Sequence, residues 1–306
     1  MVVSVIKMCT ISKRFRFSMF FVSVLVINKY FCAQINCKMK TKITMLGTGN
    51  ALVTKCYNTC FVISTEEGNL LTDAGGGNGV LVQLEKAGID YRSLNAMFLT
   101  HAHTDHILGA LWIVRMISTA INRGEYKGIF NIYGHSHLCG LLKMMVTEML
   151  PKKIASEVGK GILINEIGDG EAFEAIGAHF TAFSIHSTKL EQFGYRMEYG
   201  DLKLACLGDE PYNEKCADYV KGVDWMLCEA FCLYDDRDRF HPYEKHHSTA
   251  KDAGEIASTL DVKNILLYHT EEKTLDTRKE RYTAEAKLGF SGRVEVPYDL
   301  ETVELE

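Results

Sequence analysis

The chain has 306 residues, 47% of them hydrophobic, and a formal net charge of −5 at neutral pH. This length and hydrophobic content allow a large core and exclude a disordered chain. The near balance of 34 basic and 39 acidic residues argues against broad, nonspecific nucleic-acid binding and leaves room only for a local basic groove.

The N-terminal segment is the first unusual feature of the chain. Basic residues within 13–16 precede an apolar run at 17–27, as in a signal peptide. The run is well short of the ~20 apolar residues that a spanning helix needs, so we expect no stable membrane association. Residues 1–38 are interpreted as an export or anchor signal or, the favoured alternative, as a spurious extension upstream of a functional start at Met39. Residues 39–306 are expected to form one domain.

The ten cysteines have no spacing typical of a disulfide framework, which favours reduced thiols and a cytoplasmic protein over an exported one. Two pairs, Cys56/Cys60 and Cys228/Cys232, have the three-residue gap of a zinc half-site. Each pair lies in an apolar stretch, so we interpret these cysteines as buried small hydrophobic residues.

Apolar runs and turn residues alternate from residue 43 onward, without a linker or an internal repeat, and predict an α/β domain. The runs predict strands at 43–47, 60–63, 96–100, 130–133, 179–183, 203–207 and 265–268. The predicted helices lie at about 106–122, 136–150, 249–259 and 276–288. A hydroxyl of Ser248 or Thr249 can cap the third of these helices.

Polar side chains follow several of the predicted strands. His101, Asp209 and His269 each come immediately after an apolar run, and His186 follows one within a few residues. Loops at strand ends converge on one edge of a sheet, where they can reach a substrate. We therefore expect these four side chains to meet at one site.

Residues 101–106 read His-Ala-His-Thr-Asp-His and offer three imidazoles and one carboxylate. Zinc binds imidazole nitrogen and carboxylate oxygen, and a catalytic zinc keeps one position for water. His101 and His103 alternate along an extended loop and can face one ion, while Asp105 and His106 enter the next helix and can face a second. The pattern predicts a two-metal site completed by the side chains at the other strand ends.

This motif resembles that of the metallo-β-lactamase superfamily, and the resemblance covers residues 41–306. It implies a four-layer αββα sandwich and a hydrolase with two Zn²⁺ ions, for which Mn²⁺ is an alternative. Carried over position by position, it implies that Asp209 bridges two ligand sets: His101, His103 and His186 for one ion, and Asp105, His106 and His269 for the other.

Within the superfamily the chain is most similar to the ribonuclease Z group. The shared strings lie at 46–51, 72–75, 193–196 and 207–209, and the most specific are Cys-Glu-Ala-Phe at 228–231 and His-His-Ser-Thr-Ala at 246–250. In that group the matching glutamate and histidine form a pair beside the metals, and the histidine assists the leaving group. The resemblance therefore implies that Glu229 orients His247 for this role.

Two departures from the ribonuclease Z pattern bear on the substrate. Members that process tRNA carry an inserted arm, and the segment between Arg196 and Asp209 is too short for one. The segment after His269 lacks the expected serines and arginine, with Arg281-Tyr282 as a displaced counterpart. These departures favour generic phosphodiester hydrolysis over tRNA maturation.

The expected chemistry is attack by a hydroxide that bridges two zinc ions. Asp105 would orient or deprotonate the attacking water, and His247 would protonate the leaving alkoxide. The leading hypothesis is thus a ribonuclease Z-like phosphodiesterase. A hydrolase of a small-molecule ester, lactone, thioester or sulfate ester is the alternative, and a non-catalytic metal-binding module is the third hypothesis. RNA as a substrate and a homodimer are both compatible with the sequence.

The remaining polar residues have more local interpretations. Asp73 is interpreted as a hydrogen-bond partner of a ligand histidine, with a plain turn residue as the alternative. Five further histidines are expected to face solvent or to make local hydrogen bonds: His135, His137, His179, His241 and His246.

Overall fold

Residues 40–305 are described by a computed structural model of the chain. Segment 1–38, interpreted above as a signal or an upstream extension, lies outside the described residues, as does Met39. Within 40–305, apolar strands and amphipathic helices alternate as the hydrophobic pattern predicts, and the strands assemble into two mixed sheets.

The first sheet has seven strands in the described part of the chain. They are β1 (Lys42–Gly47), β2 (Cys60–Thr65), β3 (Gly68–Thr72), β4 (Leu94–Phe98), β5 (Phe130–Gly134), β6 (Ile162–Glu166) and β14 (Thr302–Glu304). Their order across the sheet is β14-β1-β2-β3-β4-β5-β6. Strands β3 to β6 run parallel to their neighbours, which brings their carboxyl ends to one edge of the sheet.

The second sheet also has seven described strands. They are β7 (Ala172–Ala175), β8 (Ala178–Ser184), β9 (Phe193–Tyr199), β10 (Leu202–Cys206), β11 (Trp225–Glu229), β12 (Asn264–Tyr268) and β13 (Arg293–Glu295). Their order is β13-β12-β11-β10-β9-β8-β7. Strands β10 to β13 are parallel, so the residues that follow β10, β11 and β12 also share one edge.

Helices cover the outer faces of both sheets. They are α1 (Gly79–Lys86), α2 (Thr104–Asn122), α3 (Ser136–Met149), α4 (Lys152–Ala155), α5 (Ala217–Val220), α6 (Arg237–Phe240), α7 (Ala250–Thr259) and α8 (Arg278–Ala286). Helix α7 begins where the sequence predicts because Thr249 and Asp252 form a reciprocal capping box, in which each side chain accepts a hydrogen bond from the other's backbone amide.

Three apolar clusters separate four layers of secondary structure. The first lies between the first sheet and helices α1 to α3, the second between the two sheets, and the third between the second sheet and helices α7 and α8. Burial of apolar surface on both faces of each sheet is the main favourable term for this arrangement. The order helix, sheet, sheet, helix confirms the predicted αββα sandwich.

The predicted elements agree with the observed ones to within two residues at every boundary. Strands β3, β6, β7, β9, β11, β13 and β14 and helices α1, α4, α5 and α6 were not predicted. Several of these strands are short or only half-buried, and short runs of this kind carry little periodicity. Pairing with neighbouring strands, rather than their own pattern, defines the short ones.

The turn between β9 and β10 settles the question of an inserted arm. Tyr199 pairs with Leu202, so only Gly200 and Asp201 connect the two strands, and Gly200 has a φ of +58°. The expected absence of an arm at this place is confirmed. Separately, no helix within residues 40–305 has both the length and the apolar character needed to cross a bilayer.

Candidate metal centre

Four strand ends carry predicted ligands to one edge of the sandwich. His101 follows β4, His186 follows β8, Asp209 follows β10 and His269 directly follows β12. The motif 101–106 then turns into α2, whose first residue is Thr104. The predicted convergence of strand ends is therefore present where the two sheets meet.

Two groups of candidate ligands share His106. One contains His101, His106 and Asp209, the other Asp105, His106 and His269, and within each group the nitrogen and oxygen donors lie within 4.8 Å of one another. All five residues are buried. Asp209 stands between the groups, because its Oδ1 is 3.7 Å from His101 Nε2 and its Oδ2 is 3.5 Å from Nε2 of both His106 and His269.

The two remaining predicted ligands are placed differently. His103 is half-buried at the N-terminus of α2, and its Nδ1 lies 2.8 Å from His101 Nε2. His186 is half-buried after β8, and its backbone amide donates to Ser184 Oγ. The structure thus attaches His103 to the cluster through His101, whereas His186 belongs to neither group of three donors.

The charges of the centre favour a bound cation. Burial opposes ionisation of Asp105 and Asp209, but the nearby imidazoles outweigh it and hold the pKa of both carboxyls below the ordinary value. Burial also opposes charge on His106, yet Asp73 and the two carboxylates raise its pKa well above the ordinary value. Burial lowers the pKa of His101, which keeps that imidazole in the neutral form that binds metals.

Unpartnered nitrogen atoms support the same conclusion. Nε2 of His106 and Nε2 of His269 are buried and have no hydrogen-bond partner among the described residues. Such atoms cost free energy unless they are paired or coordinate a metal. A set of imidazoles and carboxylates with unpartnered nitrogens fits a zinc-type or manganese-type ion.

Three residues of the centre have left-handed backbones. Asp73, His186 and His269 have φ values of +54°, +57° and +57°. This conformation costs a residue other than glycine of order 1 kcal/mol or more and persists where surrounding contacts impose it, often at functional sites. The fold therefore directs these side chains at the expense of local backbone strain.

Asp73 is buried and organises the start of the metal motif. Its Oδ1 accepts from the backbone amide of Thr100, and its Oδ2 accepts from the Thr100 hydroxyl, both at 2.8 Å. Oδ2 also lies 2.7 Å from Nδ1 of His106. The contact predicted between Asp73 and a candidate ligand histidine is present, and Asp73 also occupies the turn after β3.

Glu229 and His247 form the pair that the sequence predicts, beside the candidate ligands. Glu229 Oε2 lies 3.3 Å from His247 Nδ1, and Glu229 Oε1 accepts from the backbone amide of Ser248 at 2.5 Å. Burial lowers the pKa of His247, but Glu229 outweighs it and the net direction is upward. The ring of His247 stacks on Phe231 and lies 5.4 Å from the ring of His269, centroid to centroid.

A cavity of about 680 Å³ opens above these residues. Its floor includes His103, Asp105, Asp209, His247 and His269. Its lining also includes Phe231, Phe240 and residues 50–53 of the loop after β1. The charged residues of the lining outside the candidate ligands are three lysines and two glutamates: Lys189, Lys245, Lys273, Glu271 and Glu272.

The loop after β1 is hydrogen-bonded to the segment that follows β12. The amide of Thr270 donates to the carbonyl of Thr48 at 3.0 Å. Arg278 is fully buried, and its guanidinium donates to both threonine hydroxyls and to the carbonyl of Pro297. Arg281, the displaced counterpart in the sequence, is exposed and pairs with Asp236 instead.

The minor sequence predictions have mixed outcomes. The candidate metal groups within the described residues contain no cysteine, and burial raises the pKa of Cys56 to about 11 and that of Cys232 to about 12. A raised pKa keeps a thiol protonated, and the thiolate is the form that binds a metal, so these cysteines are poor candidate ligands. Of the two expected environments, solvent or a local polar contact, His179 is exposed, whereas His135 is only 1% exposed and its Nδ1 lies 2.9 Å from Glu191 Oε2.

Several residues near the centre were missed from the sequence. Gln192 donates to Asp209 Oδ1 at 2.5 Å, and Phe231, Phe240 and Lys245 line the cavity beside His247. Gln192 directly precedes the string at 193–196 that resembles the ribonuclease Z group, and this position is the one signal in the sequence that could have pointed to it. A neutral amide has no distinctive pattern of its own.

The four-layer fold is the metallo-β-lactamase fold, and the buried imidazole–carboxylate centre lies at the edge where its strand ends converge. A family model described as Anti-Pycsar protein Apyc1 matches residues 41–199, more than half of the chain. The chain belongs to this family.

Individual proteins are similar over most of their length. A ribonuclease Z of Mycolicibacterium paratuberculosis is 24% identical over 290 residues, which cover 87% of this chain and 98% of that protein. The metallo-β-lactamase fold protein YhfI of Bacillus subtilis has a TM-score of 0.67 at 20% identity, with 87% of this chain and 100% of YhfI covered. A diphosphatase of the PhnP family has the same TM-score and identity, with 87% and 97% covered. The predicted resemblance to ribonuclease Z is confirmed.

Proposed function

We propose that the chain is a zinc-dependent phosphodiesterase that hydrolyses a small phosphodiester, with Mn²⁺ as an alternative metal. Two ions would be held by His101, His103, Asp105, His106, His186, Asp209 and His269. When bound, they would supply a nucleophile activated near neutral pH and positive charge for the phosphoryl oxygens. The observation that carries the proposal is the Glu229–His247 pair, in which His247 lines the cavity next to these residues and Glu229 is buried behind it.

His247 would donate the proton that a leaving alkoxide requires. Its Nδ1 faces Glu229 Oε2, which leaves Nε2 as the atom available to the substrate. Glu229 is 1% exposed and is held by the amide of Ser248, so it can maintain one ring orientation and one tautomer of His247. A general acid in this position is needed for poor leaving groups.

Asp105 would orient the attacking water. Its carboxylate is anionic, is buried at the N-terminal turn of α2 and lines the cavity floor. An anionic oxygen accepts a hydrogen bond from water and can receive its proton during attack. The same side chain lies 3.3 Å from His106 Nε2, so its orientation depends on the metal cluster.

The size and charge of the cavity favour a small substrate over tRNA. A volume of about 680 Å³ is within the usual range for small-molecule sites. The direct β9–β10 turn leaves no arm that could grip an RNA at that place, while the three lysines suit a phosphate-bearing molecule. Two of the similar proteins are a ribonuclease and a diphosphatase, which supports phosphorus chemistry.

A substrate panel tests the proposal. Purified protein supplied with Zn²⁺ or Mn²⁺ is assayed on bis-p-nitrophenyl phosphate, on cyclic nucleotides, on precursor tRNA, and on a lactone and a thioester. We expect turnover of the small phosphodiesters and little cleavage of precursor tRNA. Activity confined to the lactone or thioester would contradict the proposal in favour of carboxylic-ester chemistry, and a metal content near zero would favour a non-catalytic module.

We also propose that residues 39–306 are the functional domain and that it works in the cytoplasm. None of the seven described cysteines forms a disulfide with another described cysteine, which suits a reducing compartment. An intact-mass measurement on protein from its native source, combined with cell fractionation, tests both points. A mass that includes residues upstream of Met39 would contradict this start.

A further inference from the structure

Gln192 makes the closest protein contact to the candidate bridging carboxylate. The residue is 2% exposed, and its Nε2 donates to Asp209 Oδ1 at 2.5 Å. A buried amide is costly unless its donors are paired, and a hydrogen bond to an ionised carboxylate is stronger than one between neutral groups. The hydrogen bond therefore stabilises both buried side chains in this arrangement.

The residue before Asp209 is adapted to the glutamine side chain. Gly208 has a φ of +72°, and a Cβ at this position would overlap Nε2 of Gln192. The carbonyl of Gly208 accepts from the hydroxyl of Tyr268 at 2.7 Å. Asp209 is thus located from two sides, by Gln192 at its carboxylate and by Tyr268 at the preceding backbone.

The backbone around Gln192 is bonded to two other segments that carry candidate ligands. Its carbonyl accepts from the amide of Ile185, which directly precedes His186. The amide of the next residue, Phe193, donates to the carbonyl of Thr100, which directly precedes the 101–106 motif. One short stretch of chain therefore links three ligand-bearing loops.

The two oxygens of Asp209 face different groups of ligands. Oδ1 lies 3.7 Å from His101 Nε2, and Oδ2 lies 3.5 Å from Nε2 of His106 and of His269. Rotation of the carboxylate about its terminal torsion is otherwise soft, because such torsions have broad wells. A donor fixed on Oδ1 restricts that rotation and keeps one oxygen directed at each group.

We infer that Gln192 is a positioning residue for the candidate bridging carboxylate of Asp209, and that it sets the affinity of the centre for metal. This inference rests on the metal centre proposed above. As a neutral donor, Gln192 neither titrates nor adds charge, so it can orient Asp209 without competing for the ions. Partners that orient metal ligands in this way are typically worth 10–100-fold in metal affinity.

Metal titration of Gln192 variants tests the inference. Gln192→Met keeps the length and removes the donor, and Gln192→Asn keeps an amide but shortens its reach. Metal-free protein is titrated with Co²⁺ while its visible absorption is followed, and Zn²⁺ content is measured after gel filtration. We expect Co²⁺ binding to weaken by about 10–100-fold in both variants, with a changed Co²⁺ spectrum.

Gln83→Met is the matched control. Gln83 is also buried, and its Nε2 donates to the carbonyl of Leu46 rather than to a candidate ligand. We expect this variant to lose stability and to keep the wild-type titration. If the titrations of both Gln192 variants overlay that of the wild type, the role of Gln192 is overturned, while the proposed metal centre is not affected. Failure of the wild type to bind metal would overturn the proposed centre itself, and this inference with it.

Discussion

Asp73 Oδ2 lies 2.7 Å from Nδ1 of His106, and this contact joins the turn after β3 to the first turn of α2. Because the carboxylate occupies Nδ1, the other ring nitrogen faces Asp105 and Asp209, at 3.3 and 3.5 Å. The contact thereby determines which nitrogen of His106 is available to a metal. Outer partners of this kind fix the tautomer of a ligand histidine.

Asp73→Asn should weaken metal binding by about 10–100-fold. The amide group of asparagine would place a donor against Nδ1 and so favour the tautomer with its proton on Nε2, the atom required for the metal. Zn²⁺ affinity measured by competition with a chromophoric chelator checks this. Asp90→Asn, an exposed aspartate that pairs with Arg92, is the control and should bind like the wild type. Equal affinities for both variants would refute the role of Asp73.

His247→Ala should slow the hydrolysis of phosphodiesters, and the loss of rate should be larger for substrates with poorer leaving groups. Loss of a general acid costs about 10²–10⁴-fold for an alkoxide and far less for p-nitrophenolate, which needs no proton. Steady-state kinetics on an alkyl and an aryl phosphodiester check this, alongside Zn²⁺ content, which should stay unchanged. His179→Ala is the control, because His179 forms an exposed pair with Glu174. A uniform loss on both substrates would argue against an acid role.

Glu229→Gln should reproduce part of the His247 defect with the imidazole still present. The amide cannot stabilise the protonated ring, so the pKa of His247 should fall from its raised position toward or below its ordinary value. We expect kcat on alkyl phosphodiesters to fall about tenfold or more, with KM little changed. Glu174→Gln serves as the matched control. Wild-type kcat in Glu229→Gln would remove Glu229 from the mechanism.

Removal of metal should lower thermal stability. The buried carboxylates of Asp73, Asp105 and Asp209 lose a compensating cation, and saturation at 100 times Kd contributes about 2.7 kcal/mol. For a chain of this size we expect Tm to fall by about 5–10 °C after chelation and to recover when Zn²⁺ is added. Scanning calorimetry checks this. An unchanged Tm in protein shown to be metal-free would contradict the expectation.

Arg278→Met should destabilise the fold by about 3 kcal/mol or more, because three hydrogen bonds from a buried charged group are lost. Urea unfolding followed by circular dichroism measures the difference in unfolding free energy. Arg281→Met, at an exposed arginine three positions along the same helix, should change stability by less than about 0.5 kcal/mol. Equal effects of the two substitutions would contradict the assignment of the structural role to Arg278.

The strand and helix pattern was largely predictable from local sequence. Helix α7 is a clear case, because its start depends on Thr249 and Asp252, three residues apart in the chain. Strand β9 was not predicted although its apolar residues alternate, at Phe193, Tyr195, Met197 and Tyr199. Its place in the second sheet follows from its pairing with β8 and β10 on either side.

By itself, the sequence determined the candidate metal site, because the 101–106 motif and the residues after β10 and β12 carry side chains of the metal-ligand type in a recognisable local order. The α/β class followed from the pattern of apolar runs, whereas the αββα sandwich was implied by the resemblance to the metallo-β-lactamase superfamily. Only the tertiary structure decided that Gln192 contacts Asp209, that Arg278 rather than Arg281 is buried, and that His106 is shared by two groups of three donors. These relations join residues distant in sequence, and such contacts depend on packing and strand register rather than on any local pattern.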